Sequence, residues 1–166
     1  MLFDQSPVSL WVEDFSLIHE YTQKLKAEGI TDFRAYFKTY PDRFAECMQL
    51  LKILDVNNAT LRLYKASSVD ELSANMDKIF NDDALLGLLE STVAIAEDKK
   101  QFDGQGINYD LEGNALHFRI TWTIAGDTIE DYQRVIVAMQ DMTSLDRISK
   151  ELEEREALFR CIFEQA

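Results

Sequence analysis

Histidine and the residues that punctuate loops are scarce in this chain of 166 residues: two His, two Pro and six Gly. So little Pro and Gly excludes a collagenous chain and a flexible linker. There are two cysteines, Cys47 and Cys161, far apart and in no metal-ligand spacing. That excludes a secreted disulfide framework and suits a reducing, cytoplasmic setting. No apolar run is long enough to span a bilayer, so no membrane insertion is expected. The start, Met1-Leu2-Phe3-Asp4-Gln5, lacks the basic region and apolar core of a signal peptide. Positive charge is also short: 17 Lys and Arg stand against 30 Asp and Glu, a net charge of -13. Such a surface repels phosphate backbones and anionic membrane faces, so nucleic acid is excluded as a direct partner. No Ser-His-Asp set, phosphate-cradling Gly loop or metal-ligand spacing is found, so neither a catalytic residue nor a metal site is expected.

What is present is a hydrophobic fraction of 46%, ordinary for a globular chain and enough for one domain with a real core. Ser9 to Val12 reads as a strand. Asp14 or Ser16 then caps a helix with Leu17, Ile18, Tyr21 and Leu25 at helical spacing, stopped by Gly29. Thr31 opens a helix carrying Phe33, Tyr36, Phe37 and Tyr40. Pro41 starts another that buries Phe44, Cys47, Met48 and Leu51. Ile53 to Asn57 is strand-like and ends in cap residues, and a helix with Ala59, Leu61, Leu63 and Tyr64 follows. Ser68 and Glu71 form a capping box. Asn81 or Asp82 caps a longer helix through Leu85, Leu86, Leu89, Val93 and Ala96.

Beyond residue 100 the hydrophobic period changes to two. Phe102 to Tyr109 is a strand and Asp110 to Asn114 a hairpin turn in which Gly113 supplies positive φ. Leu116, Phe118, Ile120 and Trp122 alternate with polar residues and face inward. A loop at Gly126-Asp127 leads to a last strand, Arg134 to Met139. Thr143 and Asp146 form an acidic capping box at the start of a charged helix, in which Leu145, Ile148, Leu152, Phe159 and Ile162 make a coiled-coil-like seam. The order implies an α+β fold, a small mixed sheet covered on one face by helices.

Three stretches resemble PAS domains. Leu54-Asp55-Val56-Asn57-Asn58-Ala59 through Tyr64 is similar to the family's D-x-N-x-A-x-x-x-x-F segment, with Tyr64 in place of Phe. Asp110-Leu111-Glu112-Gly113-Asn114, leading to Trp122, resembles the D-G hairpin between long PAS strands. Asp141-Met142-Thr143 resembles the D-I-T motif that ends the last strand, with Met for Ile. The residues from Glu151 to Ala166 look like the helical linker that opens into a second PAS domain, which implies that Ala166 is not the natural end. The resemblance covers residues 53–166, with 6–13 supplying the first strand. Residues 15–51 depart from it as a helical insertion between the first two strands.

The resemblance implies a five-stranded antiparallel sheet, a sensory domain over 1–143 and a signalling helix over 144–166. It implies a cavity for a small ligand or a surface for a protein partner, with Asp141, Met142 and Thr143 passing the signal to the helix. Thr143 as a helix cap is worth roughly 1 kcal/mol. Candidate pocket residues are Tyr64, Phe80, Phe102, Phe118 and Trp122, with Arg119 or Arg134 as a contact for a carboxylate unless they are solvated. The cofactor is unknown. The Asn-Cys-Arg-Phe-Leu-like run of flavin photoreceptors is missing, and neither His19 nor His117 falls on the 82–98 helix, so covalent flavin and haem are not expected. The seam implies a homodimer unless the helix folds back on its own sheet. The implied effector is a histidine kinase or a diguanylate cyclase downstream; a ligand-free dimerisation module is the alternative.

Overall fold

Five strands pair antiparallel throughout in the order β2-β1-β5-β4-β3: β1 Ser9–Asp14, β2 Lys52–Val56, β3 Gln101–Tyr109, β4 Ala115–Thr123 and β5 Val135–Asp141. This is a computed structural model that describes residues 2–81 and 84–164, without the side chains of Leu86 and Asp146. The proposed cap Asp82, Leu86 as a core residue and the Asp146 half of the last capping box therefore lie outside the described residues. The period-two reading of β4 holds: Leu116, Phe118, Ile120 and Trp122 are buried and alternate with more exposed residues. Val135, Val137 and Met139 of β5 join them in the core.

Three helices separate β1 from β2: α2 Ser16–Ala27, α3 Phe33–Thr39 and α4 Pro41–Met48, after a short α1 at Leu2–Gln5. Ile18, Leu25, Phe33, Phe37, Phe44 and Cys47 are buried from these helices, so the insertion belongs to the main core. Gly29 ends α2 at φ +99, as its lack of a Cβ permits. Pro41 occupies the first turn of α4. The cap of α3 is Asp32 rather than Thr31, because the Asp32 carboxylate reaches the Ala35 amide at 3.0 Å.

The next helices are α5 Asn58–Tyr64, α6 Val69–Ala74, α7 Met76–Ile79 and α8 Leu85–Ala96. Asn57 caps α5 and ties it to the sheet. Its Oδ1 accepts from Thr60 N at 3.1 Å and Leu10 N at 3.0 Å, and its Nδ2 donates to Val8 O at 2.8 Å. Ser68 accepts from the Glu71 amide, but the Glu71 carboxylate turns to Ser67, so the expected box is only half closed. Asn81 accepts from Ala84 N at 3.3 Å, one step before α8 begins. In the β3–β4 hairpin Gly113 has φ +88. Asp110 anchors the turn, accepting from Glu112 N and Asn114 N at 2.9 Å each.

The Gly126-Asp127 loop contains a further helix, α9 Ile129–Gln133, closed by a reciprocal capping box between Thr128 and Asp131. The last described element is α10, Thr143–Glu164, separated from the end of β5 by Met142 alone.

Candidate functional site

An apolar cavity of about 510 Å³ lies where the insertion meets the helices of the sheet. Met48 of α4, Leu51, Ile53 of β2, Met76 of α7, Phe80 and Leu88 of α8 form its walls, and Gln49, Ser73 and Asp77 stand on its exposed rim. Its size falls within the range of small-molecule sites, and the polar groups are few and peripheral. The short helices α6 and α7, which meet at Asn75, supply Ser73, Met76 and Asp77 to this space. The two methionines give the wall adaptable, polarizable surfaces.

Deeper in, Met48, Leu51, Phe80 and Leu88 also wall a chamber of about 20 Å³. The far side of this chamber holds Ile120 of β4, Met139 of β5, Ser91 and Thr92 of α8, and Glu13 of β1. Glu13 is 5% exposed and sits where the β1–β2 register shifts, opposite Ile53 and Val135. Burial alone pushes its carboxyl up to about 8, so the acid is mostly protonated at neutral pH. Among the described residues nothing hydrogen-bonds to that carboxyl. The first-strand reading ended at Val12 and so missed it, although Ser9, Trp11 and Glu13 share one face at period two.

The expected pocket aromatics separate. Phe80 lines both cavities. Tyr64 is fully buried, its ring edge-on to Trp11 at 5.3 Å between centroids; its hydroxyl accepts from Asn108 Nδ2 at 2.6 Å and donates to the Met139 sulfur at 3.3 Å. Trp122 donates to Ser91 Oγ at 2.9 Å, with Phe15 edge-on and Phe102 stacked at 5.7 Å. The space beneath Trp122 is thus filled by its neighbours, including Phe15 from the insertion. Phe118 is buried and borders a separate groove of about 260 Å³ near the start of α10.

Of the other candidate ligand groups, Arg119 and His19 have partners within the fold. Arg119 pairs with Asp103 through two bonds of 2.9 and 2.5 Å, while Arg134 is exposed. A ring nitrogen of His19 lies 2.8 Å from Asp98, and the ring stacks on Tyr132 at 4.1 Å. His117 lies on β4 and Cys47 is buried on α4, its thiol pushed up to about 12 by burial. Cys161 is exposed on α10. Among the described residues no cluster of His, Cys, Asp and Glu is arranged for a metal, and no helix is long and apolar enough to cross a membrane.

Asp141, Met142 and Thr143 join the sheet to α10. Met142 N donates to His117 O at 2.6 Å, and His117 N donates to Thr143 Oγ1 at 3.0 Å. Asp141 Oδ1 accepts from the Thr143 hydroxyl at 2.6 Å and the Thr143 amide at 3.0 Å. Thr143, expected as the cap, is instead the first helical residue, and its hydroxyl clasps β4. Past this clasp α10 stands clear of the sheet: Leu145, Ile148, Leu152, Phe159 and Ile162 are between 52% and 62% exposed. The helix does not fold its seam back onto its own sheet.

No family model matches the chain, and no curated protein matches it. Solved structures do. A LOV domain from the Erythrobacter litoralis EL346 blue-light activated histidine kinase superposes with a TM-score of 0.53 at 14% identity, over 83% of this chain and 98% of that one. The PAS domain of a Colwellia psychrerythraea protein gives a TM-score of 0.53 at 12% identity, over 86% and 92% of the two chains. An RNA-binding Light-Oxygen-Voltage receptor gives 0.59 at 15% identity, over 96% of this chain but 36% of the receptor. With the strand order, the helices on the sheet and the exit helix, these likenesses lead to one conclusion: the chain has the PAS fold.

Proposed function

We propose that this chain is a non-catalytic sensory module that reads the occupancy of the cavity beside α4 and passes it through β5 into α10. The observation that carries the reading is the position of Met139. It walls the inner chamber and stands two residues before Asp141, which holds the first turn of α10. A ligand that displaces Phe80 or Leu88 presses on the chamber and hence on Met139. The clasp of Thr143 on His117 makes α10 turn with the strands rather than swing freely. Of the expected aromatics, Phe80 is the one placed to report on a ligand. The exposed seam on α10 pairs with a second copy, and the output is a histidine kinase or a diguanylate cyclase downstream in a cytoplasmic protein.

Native mass spectrometry of the purified protein tests this reading. A retained small molecule, whose removal changes the dimer affinity, supports it. A second reading, a ligand-free dimerisation module, is favoured by the filled space beneath Trp122. Protein that carries no molecule, and whose cavity methyl resonances do not shift with any apolar probe, establishes that second reading. Turnover of a substrate by this chain alone overturns both.

A further inference from the structure

Resting on the ligand-binding reading, we propose that Glu13 is the recognition group of the cavity and that the ligand is a small amine, an apolar body with one basic N–H-bearing head.

The lining chemistry selects that class. Among the described residues, no Lys, Arg or His lines either chamber. The ionisable groups that do are carboxyls, Glu13 inside and Asp77 at the rim, in a chain of net charge -13. A carboxylate or phosphate ligand finds no countercharge here and meets repulsion on approach, whereas a cation is drawn in.

Glu13 itself is hard to explain without a ligand. It stands on the inward side of β1 between Trp11 and Phe15, both buried. An apolar side chain there avoids the desolvation that a carboxyl without a partner suffers. Its cross-strand partners are Ile53 and Val135; Phe15 just before α2 and Ile18 within it face the same chamber, as do Met48 of α4 and Leu88, Ser91 and Thr92 of α8. Ser91 already accepts from Trp122 and Thr92 donates to Leu88 O. The Tyr64 phenol is a titratable neighbour, and Glu13 opposes its ionisation.

The two chambers divide the ligand. The outer, at about 510 Å³, holds the apolar body, and the inner, at about 20 Å³, has room for one water-sized head. Between them stand Met48, Leu51, Phe80 and Leu88, all half-buried, whose rotamer changes admit the head. An ammonium entering from solvent meets a protonated acid. The carboxyl O–H breaks, its proton leaves to buffer, and the carboxylate accepts a hydrogen bond from the ammonium.

Calorimetric titration tests this with 2-phenylethylamine, its isostere 2-phenylethanol and 3-phenylpropionate, near pH 6.5 in two buffers of different ionisation heat. The expected result is that the amine binds at least tenfold more tightly than the alcohol and releases close to one proton, while the acid does not bind. Glu13→Gln, its fold checked by thermal melting, loses that tenfold preference and the proton release but still binds the alcohol. Proton release by the unaltered protein stands as a test even if the variant misfolds. Amine binding without proton release, or equal affinity for amine and alcohol, overturns the assignment of Glu13 yet leaves the cavity a ligand site. Failure of amine and alcohol alike, with no shift of the Met48 and Met76 methyl resonances, removes the cavity reading and this proposal together.

Discussion

At the scale of single residues, Glu13 and Asp110 show how the same chemical group is driven in opposite directions. Burial raises Glu13, and nothing in its surroundings opposes that. Burial also pushes the Asp110 carboxyl up, but the hydrogen bonds from Asn114 and Glu112 and the charge of Lys65 outweigh it and hold it below the usual carboxylate range. The native state therefore binds more protons than the unfolded chain at Glu13 between pH 4.5 and about 8. Its contribution to stability is whole below pH 4.5 and is lost as pH rises through about 8, with a slope of at most about 1.4 kcal/mol per pH unit. Glu13→Gln should flatten that slope in urea titrations across this window and leave a variant more stable than the parent at pH 9. An unchanged slope would show that the Glu13 carboxyl is solvated. Asp110 gives the reverse sign, with stability lost only as pH falls below the ordinary carboxylate range.

At the scale of elements, the junction of β5 and α10 is held by few bonds, of 2.6 to 3.0 Å. The Thr143 hydroxyl is shared between Asp141 and the His117 amide, so one side chain fixes the first helical turn against β4. Thr143→Val keeps the shape and leaves that amide without its acceptor. It should destabilise the domain by about 1 kcal/mol. Amide exchange at His117 should accelerate while β3 stays protected. Protection that falls evenly over the sheet would argue against a local clasp. Most elements were legible at this scale, because hydrophobic period and caps act locally. Pro41, Asn57, Ser68 and Gly113 do what their chemistry dictates. The helix α9 was overlooked even though Thr128 and Asp131 spell a capping box, since the short Ile129-Glu130-Asp131-Tyr132-Gln133 run shows too little periodicity to register.

At the scale of the whole molecule, the acidic domain carries a rod with an apolar stripe that its own sheet does not cover. Most of a helix's stability comes from packing of its amphipathic face, so a partner for the stripe stabilises it. Leu152→Glu, in the middle of the seam, should shift the protein to monomer in sedimentation velocity without lowering the melting temperature of the sheet domain. A monomeric parent protein would instead reserve the stripe for another chain. The insertion also acts at this scale. Its helices supply Phe15's neighbour Ile18 and the buried Phe33, Phe37 and Phe44 to the core, and its last helix builds one side of the cavity.

The sequence by itself determined most of the strands, the caps at Asn57 and Ser68 and the apolar stripe of α10, because each depends on neighbours within a few residues, whereas the clasp of Thr143 on His117 joins residues 26 apart in the chain. Only the tertiary structure decided that the space under Trp122 is filled, that the cavity opens beside α4 instead, and that Glu13 is buried without a partner. Those outcomes depend on how Phe15, Met48 and Phe80, distant in the chain, divide one volume among them. Local periodicity carries no information about which side chains fill a shared space and which leave it open.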